Sequence, residues 1–200
     1  MILGLALLLA FVLWTALVVT VDVKPLGAGG TNIGLAALNV WFFNRTGVHM
    51  ALYTLTDWLG LVPIFVCFIF GGIGLCQLIK RKSLLKADRD ILWLGAYYII
   101  VIFGYLIFEM LPVNYRPVFI GGRLEASYPS STTLLVLCVM LSLVFQAKRR
   151  IKNEAVKRIV CLLAGAFSAC MVAGRLSAGV HWFSDIFGGV LLSFGLFYLY

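Results

Sequence analysis

Six apolar stretches, each near the length that crosses a bilayer, dominate this 200-residue chain. They cover Ile2–Val21, Thr56–Ile79, Ile91–Leu111, Ser131–Ala147, Ile159–Gly174 and Ile186–Tyr200. A helix rises ~1.5 Å per residue, so ~20 apolar residues match a hydrocarbon core ~30 Å thick. Inside such a core every backbone polar group needs a partner within the protein, which favours helices for segments of this length. The chain is therefore predicted to be all-α: a six-span transmembrane helical bundle forming one domain over residues 1–200. Only 12% of its residues are charged and 62% are hydrophobic, which excludes a disordered chain or an ordinary soluble domain. The first stretch lacks a basic leader and a small-residue cleavage site, so it is read as a retained helix and not as a signal peptide. The five cysteines (Cys67, Cys76, Cys138, Cys161 and Cys170) lie inside apolar runs and are read as small buried hydrophobes without a redox role.

Charge placement sets the expected orientation. The net charge is +8, and eleven of the 16 basic residues fall in two short loops. Loop 80–90 carries Lys80, Arg81, Lys82, Lys86 and Arg89; loop 148–158 carries Lys148, Arg149, Arg150, Lys152, Lys157 and Arg158. If each span crosses once, both loops share a side, and the positive-inside rule makes that side cytoplasmic. A basic balance also suits nucleic acid, but clustering in two inter-span loops favours a topology signal, and no nucleic-acid partner is expected. Both termini are then expected in the cytoplasm, and loops 22–55, 112–130 and 175–185 outside. In loop 22–55, Ile33, Leu35, Leu38, Trp41 and Phe42 fit either a helix lying in the membrane interface or an ordinary packed loop.

The other five basic residues, Lys24, Arg45, Arg116, Arg123 and Arg175, all fall on the expected outer face. Charge beside a span end is costly unless it meets water or a partner, and the guanidinium fork suits phosphate. His181 and Asp185 are four residues apart. On a shared helix they would occupy one face, the carboxylate fixing the tautomer and freeing the other nitrogen as base or nucleophile. A structural His–Asp cap is the plain alternative for this pair. A metal site is another, but no second histidine or cysteine lies near in sequence. His49 is read as structural or surface. Pro129 ends loop 112–130 and leaves Ser130, Ser131 and Thr132 at a helix N-terminus, where unpaired N–H groups receive anions or a serine caps the helix.

These segments resemble the three motifs of the type-2 phosphatidic acid phosphatase superfamily, which also contains the vanadium haloperoxidases. The third motif, Ser-Arg-x5-His-x3-Asp, appears as Gly174-Arg175-x5-His181-x3-Asp185, departing only at the serine. The second, Pro-Ser-Gly-His, appears as Pro129-Ser130-Ser131-Thr132. The first, Lys-x6-Arg-Pro, appears as Glu109-x6-Arg116-Pro117. The resemblance implies the phosphatidic acid phosphatase and vanadium haloperoxidase-like core, with His181 as nucleophile and Asp185 as its orienting partner. Arg116, Ser130, Ser131 and Arg175 would hold the phosphate, with Arg123 replacing the charge lost at the lysine position. It implies no metal and no other cofactor, and a membrane lipid phosphate or diphosphate as substrate. Bacterial members that recycle undecaprenyl diphosphate resemble this chain in size and topology; phosphatidylglycerophosphate and phosphatidate phosphatases are close alternatives. The departures matter chemically. Threonine at 132 is too weak an acid to replace the second-motif histidine, and losing acid–base help typically costs about 10²–10⁴ in rate. On that ground diphosphates, which expel a better leaving group, are the expected better substrates. Glu109 would repel phosphate if it faced inward, or would pair with Arg116 or Arg123. The function expected is thus an integral membrane lipid phosphatase working at the outer face through a phosphohistidine. The alternative is an impaired relative that binds, senses or translocates phosphorylated lipids. A purely structural membrane subunit would leave Arg116, Arg175, His181 and Asp185 unexplained.

Overall fold

The computed structural model describes residues 1–83 and 86–200; positions 84 and 85 of the basic loop 80–90 lie outside the described residues. Helices α1 (Ile2–Thr20), α2 (Ala36–Thr46), α3 (Met50–Leu59), α4 (Leu61–Arg81), α5 (Arg89–Met110), α6 (Ser131–Arg150), α7 (Glu154–Ser177) and α8 (Phe183–Leu199) account for the architecture. Each apolar stretch found in the sequence corresponds to a helix. Among the described residues, five helical segments are long and apolar enough to span a membrane, counting α3 and α4 together. Helix α8, with 17 residues, is shorter, at the lower end of the spanning range.

Two spans depart most from the sequence expectation. The second span begins at Met50 instead of Thr56, as α3 followed by α4. The break between them has a local cause: Pro63 has no N–H, and its ring crowds the carbonyl of residue 59, so the chain turns at Gly60. The fifth span is longer than its apolar stretch because α7 continues through Lys157 and Arg158 at one end and Arg175 at the other. Its start is fixed by Asn153, whose side chain accepts hydrogen bonds from the Ala155 and Val156 N–H groups, as an N-cap does.

Helix α6 is the centre of the bundle. Of its apolar window 56% is buried, against 17–22% in the other four segments. It packs against α7, α8, α4 and α5. Helix α1 lies antiparallel on α8: Trp14 Nε1 donates to the Ser184 carbonyl near one end, and Gly4 meets Leu199 near the other. Large apolar side chains face outward, among them Phe68, Trp93 and Leu162, as a lipid-facing surface requires. Cys138 is buried, but Cys76 and Cys170 are exposed. Cys67 and Cys161 are partly covered, so the expectation that all five cysteines are buried is met fully only at Cys138: on a lipid-facing helix, an apolar neighbourhood in sequence does not imply cover by protein.

In the 22–55 segment a helix does form. Helix α2 buries Ala36 and Asn39, and Trp182 packs with Ile33 and Ala36 in a small second core. This clasp sits over the start of α8 and holds the turn between α7 and α8. In that turn Gly179 takes φ +67, and a Cβ there would collide with the Gly47 carbonyl, so a side chain is excluded on both counts.

Candidate active site

Three separate parts of the chain deliver the polar groups to one end of the bundle. Arg116 comes from loop 112–130, which folds as an irregular hairpin with isolated bridges Tyr115–Ala126 and Ile120–Arg123. The Arg116 N–H donates to the Glu125 carbonyl at 3.0 Å. Arg175 comes from the last turn of α7, and His181 from the turn before α8. The three meet at a single atom: His181 Nε2 lies 3.2 Å from Arg116 Nη1 and 3.3 Å from Arg175 Nη2. All three side chains are buried, Arg175 to 1% exposure.

Two guanidinium groups donating toward Nε2 require its lone pair, which puts the ring proton on Nδ1. Burial pushes the His181 pKa down to about 4; the neighbouring arginines push the same way, against the pull of Asp185. The imidazole is therefore neutral near pH 7, with Nε2 the basic atom. Its Nδ1 faces Asp185 Oδ2 at 3.7 Å, beyond hydrogen-bond length; such contacts commonly tighten only when substrate is bound. The two residues do not share a helix face. His181 precedes the N-cap, Trp182, and Asp185 is the third residue of α8, so its carboxylate folds back over the helix start. Asp185 Oδ2 accepts the Trp182 N–H at 2.9 Å, half of a capping box. Asp185 Oδ1 accepts from Asn114 Nδ2 at 3.2 Å and from Ser184 Oγ at 3.4 Å. Asn39 Nδ2 in turn donates to Ser184 Oγ at 2.9 Å. This network holds the carboxylate with no exposed surface.

Helix α3 adds residues that the sequence reading missed. Tyr53 presents its ring to both cations, 4.9 Å from the Arg175 guanidinium carbon and 5.8 Å from that of Arg116, within cation–π range. Arg175 Nη1 donates to Thr56 Oγ1 at 3.4 Å and lies 3.7 Å from Asp57 Oδ1. The spacing 53, 56, 57 puts all three on one helix face, which was a usable signal. Position 174 is explained by the same contact: a Cβ on Gly174 would meet Thr56 Cγ2 at 2.8 Å, so glycine lets α3 approach Arg175.

Other expected residues are placed differently. Ser130 is buried and caps α6, its Oγ accepting from Thr133 Oγ1 at 3.0 Å and more weakly from the Thr133 N–H at 3.4 Å. Its own N–H donates to the Asp185 carbonyl at 3.0 Å, joining the α6 and α8 starts. Ser131 lines a narrow crevice with His181 and Glu109. Arg123 stands apart at the exposed hairpin turn and makes no ion pair or side-chain hydrogen bond among the described residues. Glu125, and not Glu109, approaches Arg116, with Oε2 3.0 Å from Nε but out of line for a hydrogen bond. The buried side-chain polar atoms left without partners among the described residues are Arg116 Nε, Arg175 Nε, His181 Nδ1 and Ser127 Oγ. Three of the four belong to the arginine–histidine group. Buried donors ordinarily find partners, so underused cationic donors gathered at one point suit an anion.

An apolar cavity of about 300 Å³ opens beside this group. Asp57, Ser131 and Thr132 line its polar end, and Leu61, Ile64, Val101 and Ile102 its apolar walls.

The buried histidine between two guanidiniums lies at one end of a bundle of helices long and apolar enough to span a membrane, the architecture of a multi-pass membrane protein. The chain belongs to the PAP2 superfamily, which matches residues 92–200. Its fold is similar to that in the crystal structure of the first transmembrane PAP2-type phosphatidylglycerolphosphate phosphatase from Bacillus subtilis. The TM-score is 0.68 at 18% identity, over 100% of this chain and 94% of that one. No curated protein matches the sequence.

Proposed function

We propose that this protein is an integral membrane phosphatase that cleaves a lipid phosphate or lipid diphosphate through a phosphohistidine. The observation that carries the reading is the shared contact of Arg116 and Arg175 with His181 Nε2. A phosphoryl group that draws both guanidiniums onto its oxygens would free the Nε2 lone pair they now share and be held against that neutral ring nitrogen. In the first step Nε2 forms a bond to phosphorus as the ester or anhydride oxygen leaves. In the second, water attacks phosphorus and releases phosphate, restoring the neutral imidazole. Asp185 steadies the charge that develops on the ring. The two guanidiniums and the first N–H groups of α6 face the charge on the phosphoryl oxygens, the main task in phosphoryl transfer.

The cavity between α4, α5 and α6 supports a lipid as substrate. Its polar end adjoins Arg175 through Asp57, and its apolar walls suit a tail that stays in the bilayer. The basic loops support cytoplasmic termini and a site open to the outside. The test is phosphate release by the purified protein in detergent, offered an undecaprenyl-type diphosphate, phosphatidylglycerophosphate and phosphatidate. Release from at least one of them, abolished in His181→Ala, is the expected result. Saturable binding without release would instead mark a relative that binds or moves phosphorylated lipids.

A further inference from the structure

The site holds four carboxylates within reach of its chemistry, and three already have partners. Asp185 is fully buried and bonded to Trp182 and Asn114. Asp57 faces Arg175 and Glu125 faces Arg116. Glu109, next to last in α5, makes no ion pair and no side-chain hydrogen bond among the described residues. It nonetheless lines a crevice of about 10 Å³ together with His181, Ser127 and Ser131. The buried Oγ of Ser127 there has no partner. Tyr105, Ser131 and Leu134 line both this crevice and the larger apolar cavity, so Glu109 stands where the nucleophile's surroundings meet the space suited to the lipid.

We propose that Glu109 is the proton donor to the leaving oxygen, the role for which Thr132 has no suitable group. The inference rests on the phosphatase reading above. An alkyl phosphate has its second pKa at about 6, so a fraction binds as the monoanion and brings the proton with it. That proton passes from the phosphoryl oxygen to the Glu109 carboxylate. As the His181 Nε2–P bond forms and the P–O(alkyl) bond breaks, Glu109 gives the proton to the departing oxygen, yielding a neutral lipid alcohol and a carboxylate. In the second step water attacks phosphorus and the Nε2–P bond breaks; both water protons leave on the phosphate monoanion, and Glu109 stays a carboxylate. Carboxyl, imidazole and phosphorus end with their electrons and protons balanced, and no further reactant is needed.

The experiment compares two phosphate monoesters in Glu109→Gln and wild-type protein. Phosphatidate expels an alkoxide and needs the proton; 4-nitrophenyl phosphate expels a stabilised phenolate and does not. The expected result is a fall of about 10²–10⁴-fold in kcat for phosphatidate, with less than a few-fold change for the aryl ester. Glutamine keeps the shape of an exposed side chain, so the fold should be retained; the aryl ester activity reports this directly. Equal loss on both esters, or no loss on either, overturns the proposal. So does a wild-type protein that cleaves diphosphates but no alkyl monophosphate, which leaves the phosphatase reading standing. No turnover of any substrate by wild type overturns both.

Discussion

Each end of the helical bundle carries a cluster of arginines and carboxylates, and the two are built on opposite plans. At one end Arg150 spans α5 and α6. Its Nη2 meets Asp90 Oδ2 at 2.6 Å, its Nη1 lies 3.4 Å from Asp88 Oδ2, and its Nε donates to Gln146 at 2.9 Å. Asp88 is also met by Arg81 at 2.9 Å and by Gln77 at 2.8 Å. These hydrogen bonds, outside the spanning segments for Asp88, hold its carboxyl below the usual range, with Arg81 first among the causes. Arg150, Arg81, Asp88 and Asp90 each have an opposite neighbour, and the Arg150 side chain is 29% exposed. At the other end Arg116 and Arg175 are nearly inaccessible, converge on a neutral nitrogen, and keep buried Nε donors unused. Glu125 and Asp57 approach these two arginines from the more exposed side, but the guanidiniums still converge on one uncharged atom and keep Nε donors without a hydrogen bond, which the cluster at the other end does not. The difference teaches where a ligand of opposite sign would be stabilised, independently of any sequence motif.

Substitutions at the two ends should separate accordingly. The largest effect is expected for His181→Ala, which removes the proposed nucleophile: turnover of any phosphorylated lipid should fall by about 10⁴-fold or more, measured as released phosphate. Next comes Arg175→Lys, expected to lower kcat by about 10²–10³-fold, as for loss of one charge-stabilising donor. The matched change Arg150→Lys should leave kcat within a few-fold and cost less than about 1 kcal/mol of stability, since partly exposed ion pairs contribute little. A comparable loss of kcat from both substitutions would erase the contrast between the ends.

Smaller effects sharpen the picture. Tyr53→Leu removes the ring shared by both guanidiniums and should lower kcat/KM about tenfold, in line with a cation–π contribution of ~0.5–2 kcal/mol. Tyr53→Phe, which keeps the ring face, should be near wild type. The last expected effect is on stability and not on turnover. His181 has a folded pKa of about 4, below the ~6.5 of an unfolded histidine. Between those values the unfolded chain binds the extra proton, so stability falls as pH falls, with a slope of at most about 1.4 kcal/mol per pH unit from this group. In His181→Gln that contribution should vanish from the pH dependence of denaturation in detergent.

How much of this was legible in the sequence differs by level. The helices were, because a bilayer-length apolar run has few other folds open to it. Their exact extents were not: α7 incorporates Lys157, Arg158 and Arg175, which apolar length alone discards, and Pro63 divides what reads as one span. The residues around His181 were legible as a motif, but its geometry was not. The spacing of His181 and Asp185 suggests a shared helix face, whereas Trp182 caps α8 between them and Asp185 folds back as the third helical residue. Tryptophan is not an N-cap residue by sequence, so nothing in Trp182-x-x-Asp185 announced that Asp185 would fold back onto the Trp182 N–H. The contribution of α3 was the hardest to see. Thr56 and Arg175 are 119 positions apart, and no local pattern links them; only the i, i+3, i+4 spacing of Tyr53, Thr56 and Asp57 hinted at a polar face. Glu125 in place of Glu109 as the neighbour of Arg116 follows from the hairpin of loop 112–130, whose register no spacing rule supplied.

The central claim is that His181 Nε2 accepts the phosphoryl group from a lipid. The most direct measurement is to mix purified protein with substrate labelled in the phosphoryl group, quench within milliseconds in base, and locate the label. The account predicts an acid-labile, base-stable label on the peptide carrying His181, absent in His181→Ala and accumulating when hydrolysis is slowed. Turnover with no label on that peptide, or with undiminished label in His181→Ala, would contradict it.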